Sequence, residues 1–216
     1  MSTQIKYTNF FGSPITAQQQ NTLLDFKKMT FISSEIKTIE TFENIGNISY
    51  ISVKYFIDTT ENKQDIIQKY VDATTNSSLV IYSNKQQSNG FNLWDWESYE
   101  DSSQVAFKGK EVFDSELRTI FSCAFDRSTN LLLPGAQKFY YGNQVVIPYD
   151  DRLLEFKYDA NGNVKLIFDS NENYGYIEGI SLAEFLDDVN LSQGVFPWSE
   201  HPYYHSALPY LPEGNL

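Results

Sequence analysis

Residues 136–169 read AQKFYYGNQVVIPYDDRLLEFKYDANGNVKLIFD, and this stretch decides the fold class. Runs rich in Phe, Tyr, Val, Ile and Leu alternate there with three turn-forming segments, at 142–143, 149–152 and 160–163. Such runs, bounded by Gly, Asn and Asp at this spacing, are typical of β-strands. Asn161-Gly162 is the strongest turn signal, because Asn and Gly accept the positive φ of a tight hairpin. The stretch therefore predicts an antiparallel β-meander.

Three helices are predicted outside the meander, near residues 17–29, 61–73 and 181–189. The first has only a partial apolar stripe, which includes Phe26. The second has the best helical pattern in the chain, because its apolar residues between 66 and 71 recur on one face. The third begins at Ser181-Leu-Ala-Glu184, a capping box in which two side chains satisfy backbone amides reciprocally.

Several β-prone runs precede the meander. A hairpin is expected across residues 35–57, with further strands at 79–82, 91–99, 104–107 and 119–126 and a polar loop at 83–90. Together with the helices, these runs predict an α+β fold. Its sheet is expected to be predominantly antiparallel, with more than five strands and about three helices.

The length and composition of the chain favour a single domain. Its 216 residues, 41% of them hydrophobic, can bury one sizeable core and are short for two. Residues 1–216 are therefore expected to form one α+β domain. Within it, residues 194–216 contain four of the seven prolines and many aromatics. This proline density excludes regular helix and central strand, so the segment is expected to be an extended tail packed on the domain.

The charge balance is strongly acidic, with 16 Lys and Arg against 28 Asp and Glu and a formal net charge of -12. Nucleic acid is therefore not expected as a partner, because its phosphates would be repelled. A basic protein fits the charge better. The alternative interpretation is that the excess acid only keeps the protein soluble.

The compartment is predicted from what the sequence lacks. Cys123 is the only cysteine, so an intrachain disulfide is impossible and a reducing compartment is favoured. The N-terminal residues do not follow the pattern of a signal peptide, and no run of about 18 apolar residues could cross a membrane. We expect a bacterial cytoplasmic protein that does not interact with membranes.

Neither a metal site nor a catalytic centre is predicted. The only histidines are His201 and His205, and Pro202 between them prevents the helical geometry that would let both bind one ion. Cys123 lies in an apolar run, where burial makes a thiol inert. The turn at 159–163 begins like a calcium loop but lacks its later Gly and Glu. We therefore expect no cofactor and no enzymatic activity.

One aromatic and acidic cluster, Trp94-Asp-Trp-Glu-Ser-Tyr-Glu-Asp101, lies in a predicted strand. Strand alternation separates its tryptophans from Asp95 and Glu97. The tryptophans could simply be core residues with the carboxylates in water. They could also form a contact surface, since aromatic residues dominate protein interfaces and carboxylates steer a basic partner. The predicted partner-binding residues are Trp94, Asp95, Trp96, Glu97, Glu100, Asp101, Asp150 and Asp151.

Two classes of function are consistent with these features. The first is a non-enzymatic immunity or antitoxin protein that neutralises a basic toxin domain by tight binding. The second is a carbohydrate-binding or carbohydrate-processing protein, in which exposed Trp94, Trp96 or Trp198 stacks on sugars and a carboxylate pair such as Glu97 and Asp101 does acid-base chemistry. The acidity of the chain and its lack of catalytic motifs favour the first.

Overall fold

A computed structural model of the protein describes residues 2–9, 12–45, 47–71, 78–100, 104–142, 153–169 and 179–214, with only the backbone at 44, 45 and 47–51. These residues form a large, mostly antiparallel β-sheet with little helix. The predicted fold class is thereby confirmed in its coarse form. The sheet has 12 strands, and its helical content is smaller than the sequence suggests.

The bounds of the strands and helices are as follows. The strands are β1 (Thr3–Asn9), β2 (Pro14–Ile15), β3 (Asp25–Ile32), β4 (Glu35–Ile45), β5 (Asn47–Phe56), β6 (Ser78–Ser88), β7 (Phe91–Tyr99), β8 (Phe107–Phe113), β9 (Thr119–Phe125), β10 (Gln137–Tyr140), β11 (Leu154–Tyr158) and β12 (Val164–Asp169). The α-helices are α1 (Lys63–Val71) and α2 (Leu182–Asp187). Shorter helical turns span Gln19–Thr22, Asn190–Val195, Trp198–Glu200 and Pro202–His205. In the sheet, β3 to β12 lie in chain order, and β1 lies between β3 and β2.

The chain divides into two compact units. The first contains Met1–Asn84 and Trp96–Lys108, and the second contains Lys85–Asp95 and Gly109–Leu216. Each unit has its own cluster of buried apolar side chains. The single-domain organisation of residues 1–216 stays a prediction.

Helix α1 connects β5 to β6 in the first unit, and these two strands are parallel. Ile66 and Ile67 on the helix are buried in a cluster with Val53 and Leu79 of the two strands. The predicted helix at 61–73 and the predicted hairpin at 35–57, formed by β4 and β5, are confirmed.

The predicted helix at 17–29 is wrong. Only a short helical turn forms at 19–22, and residues 25–29 begin strand β3, which pairs with β1 on one side and β4 on the other. Phe26 is buried and stacks on Phe42, with 4.7 Å between ring centroids. Leu24, which belongs to the apparent apolar stripe, is exposed. Pairing with two strands and the Phe26 contact outweigh a weak local helix signal, which tertiary context routinely overrides.

The second unit contains the predicted meander, and β10, β11 and β12 pair antiparallel as expected. The turn after β11 contains the predicted Asn161-Gly162 pair, but its loop is one residue longer than a two-residue hairpin turn. Only Gly162 has a positive φ there, and the Asp159 carboxylate accepts hydrogen bonds from the amides of Asn161 and Asn163. The loop therefore has three residues, a β-turn followed by a glycine in the left-handed region. Of the other two predicted turns, the one at 149–152 and residue 143 of the one at 142–143 lie outside the described residues.

Asn89-Gly90 forms the tighter hairpin. Both residues have positive φ, at 49° and 82°, which is the signature of a two-residue type I′ turn. The predicted loop at 83–90 is wrong for most of its length, because strand β6 continues to Ser88. The predicted strand at 104–107 is also shifted, since β8 begins only at Phe107.

Lys138 anchors the C-terminal segment to β10. Its side chain is fully buried, and Nζ donates to the carbonyl oxygens of Tyr203 (2.5 Å), Ser206 (2.7 Å) and Pro209 (3.0 Å). Burial lowers the pKa of Lys138 to about 7, whereas three acceptors favour the protonated amine, the form with three N–H donors. Part of the tail, at 198–200 and 202–205, forms short helical turns and is not extended as predicted, because Pro202 is compatible with the start of a turn.

Candidate functional site

The two tryptophans of the predicted contact cluster lie in β7. Trp94 is only 7% exposed, and Lys85 Nζ lies 5.7 Å from its ring centroid. Trp96 is partly buried, and its indole Nε1 is buried without a hydrogen-bond partner among the described residues. Trp94 therefore packs as a core residue, and it offers little surface to a partner.

The carboxylates of the same cluster have partners within the chain. Asp95 forms an ion pair with Lys110, and Glu97 forms one with Lys63. The Tyr99 hydroxyl also donates to Glu97, at 2.7 Å. Burial opposes the charge of Glu97, but the hydrogen bonds from Lys63 and Tyr99 keep its pKa below the ordinary value. Two of the predicted binding carboxylates are thus compensated by lysines.

Of the other predicted binding residues, only Glu100 is among the residues that the structure describes. Glu100 is exposed at the end of β7. Asp101, Asp150 and Asp151 lie outside the described residues. A partner-binding role for the cluster stays a prediction.

A more acidic region lies further along the chain. Residues 166–216 contain eight Asp and Glu and no Lys or Arg, so two thirds of the formal net charge of -12 comes from the last quarter of the sequence. Charge averaged over the whole chain hides this asymmetry. A count by segment would have revealed it from the sequence alone.

Apolar side chains are exposed within the acidic region, along the α2 segment, which we define as residues 182–195. Leu186 is 42% exposed, Val189 is 58% exposed and Val195 is 45% exposed. Isolated exposed apolar residues are normal, whereas contiguous apolar patches mark interaction sites, so three such residues within 14 positions make this segment a candidate. None of these three residues was predicted as a binding residue.

Carboxylates accompany these side chains without compensating cations. Glu184 accepts hydrogen bonds from the backbone amide and hydroxyl of Ser181, and Asp188 accepts them from the amides of Asn190 and Leu191. Asp187 is exposed. Across the described residues, none of these three carboxylates forms an ion pair. Their negative charge is therefore available to a partner.

The α2 segment is packed against the core through the buried side chain of Phe185. The capping box predicted at Ser181 and Glu184 is confirmed and starts the helix. Phe185 is fully buried, with its ring centroid 5.9 Å from Trp198 and 6.2 Å from Phe196. Phe185 thus fixes the segment to the core, while Leu186, Val189 and Val195 and the neighbouring carboxylates stay exposed.

The histidines and the cysteine occupy packed positions. The His201 ring stacks on Phe196 and the His205 ring on Trp198, each with 4.2 Å between centroids. Burial raises the pKa of the Cys123 thiol to about 11, so the thiolate is scarce at neutral pH. No group of three or more metal-binding side chains occurs in the part of the chain that the structure describes.

No helix in the described ranges is long and apolar enough to cross a membrane. Comparison with known proteins finds no matching family model, no similar curated protein and no similar solved structure. Function therefore has to be inferred from the residues of this chain.

Proposed function

We propose that the protein is a non-enzymatic binding protein of the immunity or antitoxin type, which captures a basic partner protein through the α2 segment. The observation that supports this proposal is the exposure of Leu186, Val189 and Val195 beside carboxylates that no lysine or arginine among the described residues compensates. Of the eight large apolar side chains exposed on the described residues, three lie in these 14 residues.

The two kinds of side chain have different roles in such an interface. Uncompensated carboxylates attract a basic protein over long distances and raise the association rate. Buried apolar contacts determine how long the complex lasts, because they set most of the dissociation rate. An interface with both features binds rapidly and tightly, as neutralisation of a toxin requires.

The β7 cluster has a smaller role in this proposal. Asp95 and Glu97 are already paired with Lys110 and Lys63, so they add little to the field that a partner meets. Exposed Glu100 can still contribute at the rim of an interface.

A carbohydrate-binding protein is the second candidate, and one pocket favours it. This pocket of about 270 Å³ in the second unit is lined by Phe91, Tyr140 and Tyr141 together with Asp114 and Arg118. Aromatic rings beside hydrogen-bonding groups suit a sugar ring. The tryptophans expected to stack on sugars are placed less favourably. Trp94 is buried, and the ring of Trp198 is covered by His205.

Affinity capture from the native host tests the proposal. The tagged protein is expected to retain a basic protein at 0.1 M salt, where the Debye length is roughly 10 Å, and to capture it more slowly at 1 M, where the length is about 3 Å. The variant Leu186→Gln/Val189→Gln should lose the partner. Leu131→Gln is the matched control, because Leu131 is 67% exposed in the same unit but lies outside the α2 segment.

Two results would contradict the proposal. One is an undiminished complex with the Leu186→Gln/Val189→Gln variant. The other is the absence of a basic partner combined with a reproducible ligand on an oligosaccharide array, which would favour the carbohydrate candidate.

A further inference from the structure

A second pocket, of about 300 Å³, lies in the C-terminal tail and is named here the tail pocket. Its lining includes Glu200, His201, Tyr203, Pro209, Pro212 and Glu213. The lining residues therefore bring a phenol, an imidazole, proline rings and two carboxylates to this part of the tail. All of these residues belong to the second unit.

The electrostatic character of the tail pocket is negative. Glu200 and Glu213 are exposed, and no lysine or arginine is among the lining residues that the structure describes. Burial lowers the pKa of His201 below its ordinary value, so the imidazole is neutral at pH 7. The fully buried Lys138 lies 3.7 Å from the Tyr203 ring centroid, but its ammonium group is directed at three carbonyl oxygens. The pocket therefore favours a cation.

The walls of the tail pocket are held in place before any ligand arrives. Lys138 binds the carbonyl oxygens of Tyr203 and Pro209, and the Tyr203 hydroxyl donates to the Tyr210 carbonyl at 2.6 Å. The Asn89 side chain donates to the carbonyl oxygen of Glu213 at 2.9 Å. A pocket with walls fixed in this way loses little conformational entropy when a ligand binds.

The tail pocket is also connected to the α2 segment. The buried ring of Phe196 packs against Phe185 of α2 and stacks on His201 of the pocket. The α2 segment and the tail pocket therefore belong to one packed cluster in the second unit.

We propose that the tail pocket binds the guanidinium group of an arginine side chain of the basic partner. This inference rests on the proposed function and adds the anchor residue that the partner contributes. A guanidinium group is planar and weakly hydrated, so it stacks on aromatic and proline rings, and its donors match carboxylates in a fork geometry. An ammonium group is a compact, strongly hydrated charge and matches these walls less well.

Binding of N-acetyl-arginine amide to the full-length protein tests the inference directly. In an NMR titration of the ¹⁵N-labelled protein, the backbone signals of His201 and Tyr203 are expected to shift as the arginine compound is added. The citrulline analogue, which has the same shape without the charge, should cause no comparable shift. The lysine analogue should bind more weakly.

Variants of the two glutamates locate the site. Glu200→Gln/Glu213→Gln should weaken binding of the arginine compound by about fivefold, the effect typical of exposed charge pairs. Asp65→Asn/Glu116→Gln is the matched control, because it removes two exposed carboxylates outside both the tail pocket and the α2 segment. Equal binding of the citrulline or lysine analogue, or unchanged binding by the double variant, would overturn the assignment.

The same variants separate this inference from the proposed function. If the double variant captures the basic partner as tightly as the wild type, while Leu186→Gln/Val189→Gln loses it, the arginine pocket is wrong and the binding function stands. If N-acetyl-arginine amide binds at the tail pocket but the host provides no basic partner, the proposed function fails and the pocket remains.

Discussion

The β7 cluster and the α2 segment have similar compositions but differ in charge compensation. Each combines carboxylates with large apolar side chains. In β7 the carboxylates of Asp95 and Glu97 pair with lysines, and Trp94 is buried. In α2 the carboxylates have no cationic partner within the described residues, and Leu186 is exposed. The first is a structural region, and the second carries the proposed binding surface.

This contrast shows that an acidic sequence is not the same as an acidic surface. A carboxylate paired with lysine produces little field beyond its neighbourhood, because the opposite charges cancel. Only uncompensated carboxylates contribute to steering. The position of the lysines therefore decides which acidic segment can attract a partner.

The largest expected difference between the two regions is in folding stability. Trp94→Ala should reduce the free energy of unfolding by about 3–5 kcal/mol, because it leaves a large cavity in a packed region. Leu186→Ala should change it by less than about 0.5 kcal/mol, because surface substitutions are usually neutral. Urea denaturation of both variants measures the two values. A small loss for Trp94→Ala would indicate that Trp94 is a contact residue after all.

Removing the lysine that pairs with Glu97 in β7 should have a smaller effect on the free energy of unfolding. Lys63→Met leaves the half-buried Glu97 carboxylate without its cation and should lower the free energy of unfolding by about 1 kcal/mol. The pKa of Glu97, measured by NMR, should rise. Lys165→Met is the matched control, because Lys165 is exposed on β12. If the two variants are equally stable, the Lys63–Glu97 ion pair does not stabilise β7.

The acid sensitivity of the fold should depend on the same ion pair. The folded pKa of Glu97 lies below its ordinary value of 4.5. Its contribution to stability is therefore fully present above pH 4.5 and is lost as the pH falls through the folded pKa. Glu97→Gln should reduce the loss of unfolding free energy over this pH range by less than about 1 kcal/mol. Thermal unfolding between pH 6 and pH 2 measures the change, and an unaltered slope would contradict it.

The sequence predicted the elements that depend on local signals. Helix α1 and the capping box at Ser181 are determined by residues within a few positions of each other. The meander was likewise predictable from its runs and turns. The Asn-Gly rule applies at both sites, but the two-residue turn forms at Asn89-Gly90, which lies in the predicted loop at 83–90.

The sequence could not predict features that depend on distant residues. Strand β3 is selected by its two neighbours in the sheet, and no local pattern at 17–29 contains that information. Lys110 is 15 residues from Asp95, and Lys63 is 34 residues from Glu97. The sequence alone therefore could not show that the predicted binding carboxylates are paired with lysines. The acidity of 166–216 was visible there and needed only a count by segment.

Association with the captured partner, followed by stopped flow at several salt concentrations, tests the central claim most directly. Asp187→Lys reverses an uncompensated charge in α2 and should slow association by about threefold at low salt, with the difference vanishing at high salt. Lys63→Met/Glu97→Gln removes a compensated pair from β7 without changing the net charge, and it should associate at the wild-type rate. The account is contradicted if the β7 double variant slows association as much as Asp187→Lys, or if Asp187→Lys associates as fast as the wild type.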